Sequence, residues 1–539
     1  MTLPVVGGAF WEEPTGDWSG ECDVVVVGSG AGGAVAAVTL AEAGLDVVVV
    51  EEGFSWAANR HSPDTSVAVA RMFQEGGLRT AQGTPPMPVA GGKALGGSTV
   101  VNSAISFRTP EAVLAEWNEL SGGAFEDAAA YYRAMDEVEA VLSVEPTPDH
   151  LLSGYDRVHK SSAEALGWSN HNFRRNTPRC AGCGRCNNGC PVSGKASVDL
   201  ALLPRVGRAG GRIVTGSVVE RVEAGKVVGR VENRERATIG AFTVTARKAV
   251  VLAAGTIASP RLLLDSGVVA EGGEVGSGLM VHPVFTVLGF FRDKVVAAPG
   301  STQGHYVDEF SDERVVLESN PTIPGAIFPG IPLWGEGAWE YLSRASQFAS
   351  TGAMVRDAGR GRIVASGGLG ANIKYDLSPE DQARAAFGMT RAAEMWLEGG
   401  GAEFVNLNVY GSPVCRTMDE VRALLTDLPA GRFIGYSSHP QASCSVGRAC
   451  REDGEVIGAD GIYVIDASSL PANVGRNPQI SVMTVARVLA ERLATKLAGS
   501  ARPLWTGEGP LYSVPQAGVA CGLTSAGSTP EPTPAAAPE

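Results

Sequence analysis

Residues Asp23–Gly53 read DVVVVGSGAGGAVAAVTLAEAGLDVVVVEEG, and this segment decides the fold. The four valines Val24–Val27 predict a buried strand, and a glycine-rich turn follows them at once. A helix of small residues over 34–43 and a second valine-rich strand over 46–50 complete a β–α–β unit. The segment therefore predicts an α/β fold that contains a parallel sheet.

The turn in this unit has the spacing G-x-G-x-x-G, at Gly28, Gly30 and Gly33. The first glycine permits the tight turn, the second lets a pyrophosphate approach the backbone, and the third lets the helix pack closely on the strand. The free N–H groups of the helix N-terminus attract phosphates. An acid, Glu51, follows the last glycine by 18 residues and can accept hydrogen bonds from a ribose. The unit predicts dinucleotide binding rather than an ordinary α/β turn.

The length, composition and net charge of the chain exclude several classes of protein. With 539 residues and an apolar fraction of 44%, the chain can form two or more hydrophobic cores. It contains no run of 18 apolar residues and its N-terminus lacks a secretory signal pattern, so we expect a cytoplasmic location. The net charge of −14 argues against nucleic acid and anionic membranes as partners. That charge is compatible with a cationic substrate, although a solvated acidic surface explains it more simply.

Four of the nine cysteines, Cys180, Cys183, Cys186 and Cys190, lie within eleven residues in the pattern C-x2-C-x2-C-x3-C-P. Bacterial ferredoxins use this spacing, because short gaps let several thiolates converge on one cluster. In a reducing compartment such a group favours a metal over disulfides. The pattern predicts an iron–sulfur cluster held by three or four of these residues, with a zinc site and a metal-free thiol loop as alternatives.

A second glycine-dense segment, GGKALGGSTVVN, covers residues 91–102. Its glycines allow the backbone to approach a flat or phosphorylated ligand closely. Asn102, at its end, can offer an amide to the edge of a ring. Taken alone, the same composition would also suit a mobile loop.

This second segment resembles the first signature of the glucose-methanol-choline (GMC) oxidoreductases, flavoenzymes that oxidise alcohols. GTIASPRLLLDSG at 255–267 resembles their second signature. Ser438-His439-Pro440, residues 461–468 and Asn477-Pro478-Gln479 are similar to the closing segment of the family. The matches follow the family order from residue 23 to about 495 and so cover nearly the whole chain. The cysteine loop resembles that of the long-chain alcohol oxidases, which favours the long-chain alcohol oxidase and cholesterol oxidase-like branch.

The resemblance implies FAD as the cofactor. It implies a Rossmann-like FAD-binding domain with an interleaved α+β substrate domain built on an antiparallel sheet. We expect the FAD-binding domain at 18–288, with the cysteine loop at 178–196, and its closing segment at 433–500. The substrate domain is expected at 289–432 and a disordered tail at 515–539. The residues that the resemblance places against FAD are Gly28, Gly30, Gly33, Glu51, Gly97, Ser98, Asn102, Val219, Asp466, Ala467, Pro478 and Gln479.

His439 and Asn477 match the catalytic pair of the family. An imidazole has a pKa near the working pH and can take a hydroxyl proton. An amide can hold the alcohol oxygen while a hydride passes to the flavin N5 atom. His282, in a second His-Pro pair, is expected near the domain junction. Ala442-Ser443 replaces the glycine-containing pair of relatives, and its added side chains are expected to reshape the pocket.

These observations predict an FAD-dependent oxidase or dehydrogenase that converts an alcohol, expected to be primary, into an aldehyde. The electron acceptor would be oxygen, a redox protein or a dye. Alternative substrates are a sugar hydroxymethyl group, such as that of an aminoglycoside precursor, and a sterol or other secondary alcohol. A catalytically silent flavin or electron-transfer protein is the non-enzymatic alternative. The presence of both His439 and Asn477 argues against it.

Overall fold

The computed structural model describes residues 10–56, 64–296, 298–320, 339, 343–365, 372–411 and 414–504. The tail predicted at 515–539 lies outside these ranges. Within them, no helix is both long enough and apolar enough to cross a lipid bilayer. The cytoplasmic location stays a prediction.

The α-helices of the described residues vary from one turn to twenty residues. In chain order they are α1 (Ala31–Glu42), α2 (Thr65–Met72), α3 (Ser98–Val101), α4 (Glu111–Leu120), α5 (Ala128–Leu142), α6 (Gly154–Ala165), α7 (Val198–Ala201), α8 (Leu203–Arg208), α9 (Gly255–Asp265), α10 (Pro379–Glu394), α11 (Met418–Leu425) and α12 (Gln479–Ala498).

The strands of the described residues belong to two large sheets and three small ones. They are β1 (Trp18–Val27), β2 (Val47–Val50), β3 (Thr80–Ala81), β4 (Met87–Pro88), β5 (Glu145–Pro146), β6 (Asn170–Asn172), β7 (Arg174–Arg175), β8 (Arg212–Val214), β9 (Ser217–Glu223), β10 (Lys226–Glu232), β11 (Thr238–Leu252), β12 (Ser277–Leu279), β13 (Val284–Phe290), β14 (His305–Val307), β15 (Val315–Ser319), β16 (Phe348–Val355), β17 (Gly361–Val364), β18 (Asn372–Lys374), β19 (Phe404–Asn406), β20 (Gly435–Tyr436) and β21 (Ile462–Val464).

The first large sheet is built around the valine-rich β–α–β unit. β1 pairs in parallel with β2 and β11, β2 pairs in parallel with β8, and β21 pairs in parallel with β11. β10 and β9 extend the sheet in antiparallel fashion. All four residues of β2 are buried, as expected for a parallel sheet covered on both faces. The predicted β–α–β unit is confirmed, with α1 beginning three residues earlier than expected.

The longest strand of this sheet, β11, runs without a break through two polar residues, Arg247 and Lys248. A register shift in β1 between Cys22 and Val24 lies opposite this stretch. Arg247 contacts Asp23 through an ion pair, so its charge is satisfied within the sheet.

The second large sheet is antiparallel, with the order β19–β13–β16–β15–β14–β6 and β20 paired to β13. Its core contains large apolar side chains such as Phe285, Phe290 and Trp396. This sheet and the Rossmann-like sheet confirm the predicted fold class. β6 joins the second sheet from within the range expected for the FAD-binding domain, so the two parts interleave. The exact boundaries at 288, 432 and 500 stay predictions.

The helix α9 begins at Gly255 and contains a proline, Pro260. A proline inside a helix removes one backbone hydrogen bond. The proline cannot donate to the carbonyl of Thr256, and the Ser443 hydroxyl donates to that oxygen instead, at 2.6 Å. Ala442 and Ser443 are both fully buried and neither lines the large cavity described below. The expectation that this pair reshapes the pocket stays a prediction; Ser443 contacts Thr256, which lines that cavity.

Candidate active site

A cavity of about 940 Å³ is lined by residues from both large sheets. This volume is at the upper end of the range for ligand sites, which is about 300–1,000 Å³. The cavity has room for an extended dinucleotide together with a small substrate. Of the residues predicted to bind FAD, all but Gly33 line it: Gly28, Gly30, Glu51, Gly97, Ser98, Asn102, Val219, Asp466, Ala467, Pro478 and Gln479. His439 and Asn477 line the same cavity.

The glycine turn is shaped as a phosphate site. Gly28 has φ +99, and a Cβ atom there would lie 2.4 Å from the Ala253 oxygen. A Cβ at Gly33 would lie 2.0 Å from the Gly28 oxygen, which confirms close packing at this position. At Gly30 the nearest atom to an added Cβ is the Gly97 Cα, 3.9 Å away. Gly30 is also the N-cap of α1 and no side chain caps the helix, so its terminal N–H groups are available to a pyrophosphate.

Two buried carboxylates stabilise the walls of the cofactor cavity. Glu51 accepts hydrogen bonds from the backbone and hydroxyl of Ser29, at 2.9 and 2.7 Å, and from the Gly53 N–H at 2.8 Å. Burial raises the pKa of Glu51 to about 6. Asp466 accepts from the N–H groups of Gly255 and Ser468, both at 2.8 Å, and so links α9 to the closing segment. Both acids order the cavity wall, and their contacts to the ribose and the ribityl chain stay predictions.

Asn102 and Gln479 come together although 377 residues separate them in sequence. The Asn102 amide donates to the Gln479 side-chain oxygen, and its own oxygen accepts from the Ala104 N–H at 3.0 Å. The Gln479 amide donates to the Asn176 oxygen at 3.2 Å. The second glycine segment and the start of α12 are thereby fixed against each other on the cavity wall. The structure thus does not show a mobile loop at 91–102.

The structure brings the predicted catalytic pair together. The Nε2 atom of His439 lies 3.5 Å from the Nδ2 atom of Asn477. Among the described residues, neither the His439 Nδ1 atom nor the Asn477 Oδ1 atom has a hydrogen-bond partner. Burial lowers the pKa of His439 to about 4, so its imidazole is neutral near pH 7 and can accept a proton.

Two further residues beside this pair were underestimated or missed by the sequence analysis. The rings of His282 and His439 have their centroids 5.3 Å apart, and His282 is fully buried with φ +54, a strained value for a residue with a side chain. The sequence did contain one signal for His282, namely its position before a proline, which it shares with His439. Glu318 on β15 places its Oε2 atom 3.5 Å from the Asn477 amide. The sequence gives no signal for it, because a glutamate near the end of a strand is ordinarily solvated.

The four clustered cysteines surround a second, much smaller cavity of about 10 Å³. Such a space holds about one water molecule, whereas an iron–sulfur cluster inserts several atoms between its thiolates. In the part of the chain that the structure describes, no group of three or more His, Cys, Asp or Glu side chains is arranged to hold a metal ion. The arrangement of Cys180, Cys183, Cys186 and Cys190 therefore does not fit a cluster, and the metal site stays a sequence-based prediction.

The cysteine loop contacts the wall of the large cavity through two buried cations. The Lys195 ammonium donates to the carbonyl oxygens of Asn102, at 2.9 Å, and Cys186, at 3.1 Å. The Arg175 guanidinium donates to the Ser103 oxygen at 2.8 Å and to the Cys186 sulfur at 3.1 Å. Burial alone would raise the pKa of Cys186, but the charges of Arg175 and Lys195 outweigh it and lower the pKa. Cys186 thus stabilises the cations that fix residues 102–103.

We expect Cys186→Ala to lower the free energy of unfolding by about 1–3 kcal/mol, because it leaves a buried guanidinium N–H without its partner. Cys180→Ala is the matched control, since its sulfur accepts a 3.4 Å hydrogen bond from the Gly182 N–H on the same loop. Denaturant unfolding of both variants, with metal analysis after anaerobic purification, gives the measurement. If both variants lose the same free energy of unfolding, and the wild-type protein contains one or more iron atoms per chain, the result would support the cluster instead.

The comparisons with known proteins agree with this site. Together with the fold and the cavity, they identify an FAD-dependent oxidoreductase that acts on CH–OH donors. A GMC oxidoreductase family model matches residues 69–284, a second matches 360–486, and an FAD binding domain model matches 23–75. An uncharacterized GMC-type oxidoreductase of Mycobacterium tuberculosis is 35% identical over 491 residues, which are 88% of this chain and 76% of the relative. The chain therefore belongs to the GMC oxidoreductase family.

Other similar proteins are named for their activities. The long-chain-alcohol oxidase FAO4B of Arabidopsis thaliana is 29% identical over 514 residues, covering 88% of this chain and 68% of the relative. Pyridoxine 4-oxidase from Mesorbium loti has a similar fold, with a TM-score of 0.63 and 19% identity, over 87% of this chain and 99% of its own. A formate oxidase structure gives a TM-score of 0.65 at 14% identity, over 89% of this chain and 98% of its own. At these low identities the solved structures support the fold alone.

Proposed function

We propose that this GMC oxidoreductase oxidises a primary alcohol to an aldehyde, with His439 as the base and Asn477 as the residue that orients the substrate. The observation that carries the proposal is the 3.5 Å contact between His439 Nε2 and Asn477 Nδ2 on the wall of the cofactor cavity. The name of the Arabidopsis relatives, long-chain-alcohol oxidase, supports an alcohol as the substrate.

The two side chains divide the work on the hydroxyl group. An alcohol oxygen beside both residues donates its proton to His439 Nε2 and accepts a hydrogen bond from Asn477 Nδ2. This arrangement needs the neutral imidazole that burial of His439 provides. FAD, held by the glycine turn and the wall residues described above, supplies the hydride acceptor when it is bound. The amide fixes the oxygen, so that the carbon that loses hydride keeps one orientation.

Anaerobic mixing of the FAD-containing protein with a primary alcohol tests this proposal. We expect bleaching of the flavin absorbance and formation of one aldehyde per flavin. The pKa of His439 is lowered to about 4, so the base is neutral above that pH and protonated below it. The reduction rate should therefore fall to half its plateau near pH 4. Two further titratable groups face the pair: Glu318, whose pKa burial raises to about 7, and His282, whose pKa burial lowers well below its ordinary value. Failure of every alcohol to bleach the flavin would instead support the electron-transfer alternative.

A further inference from the structure

The cysteine loop and the cations beside it hold the segment that forms one wall of the cofactor cavity. The backbone carbonyls of residues 100–103 all accept hydrogen bonds from this region. Lys195 donates to the first and third of them at 2.7 and 2.9 Å, Asn187 to the second at 2.9 Å, and Arg175 to the fourth at 2.8 Å. The last three residues of this segment line the cavity. A chemical change in the cysteine loop is therefore transmitted to the cofactor cavity.

Cys186 lies among these contacts. Its carbonyl accepts from the Lys195 ammonium, and its sulfur accepts from the Arg175 guanidinium, both at 3.1 Å. Each cation is 1% exposed, and in the described part of the chain neither forms an ion pair with a carboxylate. Cations beside a cysteine favour its thiolate, which is the form of the sulfur that reacts with oxidants. Cys186 thus has the surroundings of a reactive cysteine.

Cys190 is placed to form a disulfide with Cys186. The two cysteines line the same cavity of about 10 Å³ and contact consecutive residues, because the Gly194 N–H donates to the Cys190 sulfur at 3.1 Å and Lys195 donates to the Cys186 carbonyl. A space that holds about one water molecule admits a peroxide oxygen but not a cluster. Cys190 is partly buried, and Asn187, between the two cysteines, is exposed. A small oxidant can therefore approach the pair from solvent.

We propose that Cys186 and Cys190 form a redox modification site, at which hydrogen peroxide converts the two cysteines into a disulfide and thereby weakens FAD binding. The Cys186 thiolate attacks one peroxide oxygen, the O–O bond breaks, and a sulfenic acid and a hydroxide result. The hydroxide takes up a proton and becomes water. The Cys190 thiol then attacks the Cys186 sulfur, the S–O bond breaks, and the thiol proton leaves with the hydroxyl group as water. Two electrons pass from the two sulfurs to one peroxide molecule, which is reduced to two molecules of water.

The effect on the cavity follows from the loss of charge. A disulfide sulfur is neutral, so the Arg175 guanidinium loses a charge-assisted hydrogen bond at the sulfur of Cys186. Arg175 and Lys195 then hold the carbonyls of residues 102–103 less firmly. One charge-assisted hydrogen bond corresponds to about tenfold in a dissociation constant. We expect the dissociation constant for FAD to rise by about this factor on oxidation and to return when dithiothreitol reduces the disulfide.

Peptide mapping tests the proposal, because trypsin places Cys186 and Cys190 on one peptide, 186–195, and the other two cysteines of the loop on another, 180–185. The FAD-containing protein is treated with hydrogen peroxide, and its free thiols are then alkylated in denaturant. We expect the peptide 186–195 to be unlabelled and lighter by two hydrogen atoms, and the peptide 180–185 to carry two labels. Dithiothreitol before alkylation should restore both labels on 186–195. Equilibrium dialysis gives the FAD dissociation constant before and after each treatment.

Two variants assign the roles within the pair. Cys190→Ser keeps the contact between Cys186 and Arg175, so FAD should bind normally before oxidation. Peroxide should leave a sulfenic acid on Cys186 of this variant, which dimedone labels. Cys183→Ser is the matched control, since it removes the other cysteine in C-x2-C spacing with Cys186. It should form the disulfide as the wild-type protein does.

Several results would contradict the proposal. Two labels on the peptide 186–195 after peroxide treatment, or a disulfide that joins this peptide to 180–185, would overturn the assignment of the pair. One or more zinc or iron atoms per chain would overturn it as well, because metal-bound thiolates are not free to react. A disulfide within 186–195 that leaves the FAD dissociation constant unchanged would overturn the coupling to the cavity. None of these measurements involves oxidation of an alcohol, so they are independent of the proposed function.

Discussion

Gly30→Val should give a folded protein that purifies without FAD. The backbone at Gly30 has φ −69 and ψ −163, which a residue with a side chain adopts without strain. An added Cβ would have no neighbour closer than 3.9 Å, so the polypeptide itself tolerates the substitution. The new methyl groups would occupy the space in front of the uncapped N-terminus of α1, where the pyrophosphate approaches. Flavin absorbance per chain, with circular dichroism for folding, gives the measurement.

Two other glycines give matched controls. Gly16→Val introduces the same side chain at a position where an added Cβ has nothing within 4 Å, outside the cavity, and should retain FAD. Gly33→Ala should destabilise the fold itself, since its Cβ would lie 2.0 Å from a backbone oxygen. Stoichiometric FAD in the Gly30→Val protein would show that the pyrophosphate does not pass over this turn.

The parts of the site that the sequence predicts are those with local causes. The valine runs, the G-x-G-x-x-G spacing and the small-residue helix follow one another within 31 residues, and their geometry needs no distant partner. His439 and Asn477 were found through the family resemblance, because they lie 38 positions apart in sequence and no periodicity connects them.

Glu318 and the cysteine loop show what local patterns leave undetermined. Glu318 shares one face of β15 with Val316, and the sequence of β15 alone does not show that Glu318 lies on the wall of the cofactor cavity. In the same way, the spacing of the cysteines suggests converging thiolates. Arg175 and Lys195, which occupy the contacts around Cys186, come from outside the spaced cysteines and fix the loop against residues 102–103. Contacts between distant parts of the chain therefore decide which side chains line the cavity and how the cysteine loop is held. The motifs alone do not show these contacts.

His439→Ala should slow reduction of the flavin by an alcohol by about two to four orders of magnitude, the usual contribution of a general base. The variant keeps the backbone contacts of this residue, namely its N–H to the Ser437 hydroxyl at 3.3 Å and its carbonyl to the Gln441 amide at 3.0 Å. Its ring makes a long hydrogen-bond contact to Asn477, and among the described residues its Nδ1 atom has no partner, so folding and FAD content should change little. Rapid mixing under anaerobic conditions measures the reduction rate directly.

The control for this variant is His171→Ala, because His171 is exposed and pairs with Asp308, away from the cavity lining. It should reduce its flavin at the normal rate. The residual reduction rate of His439→Ala should not change with pH near pH 4, because the titrating base is gone. The wild-type rate, by contrast, falls there. A normal reduction rate in His439→Ala would remove this residue from the mechanism and leave His282, whose ring centroid is 5.3 Å from that of His439, as the remaining imidazole at the site in the described structure.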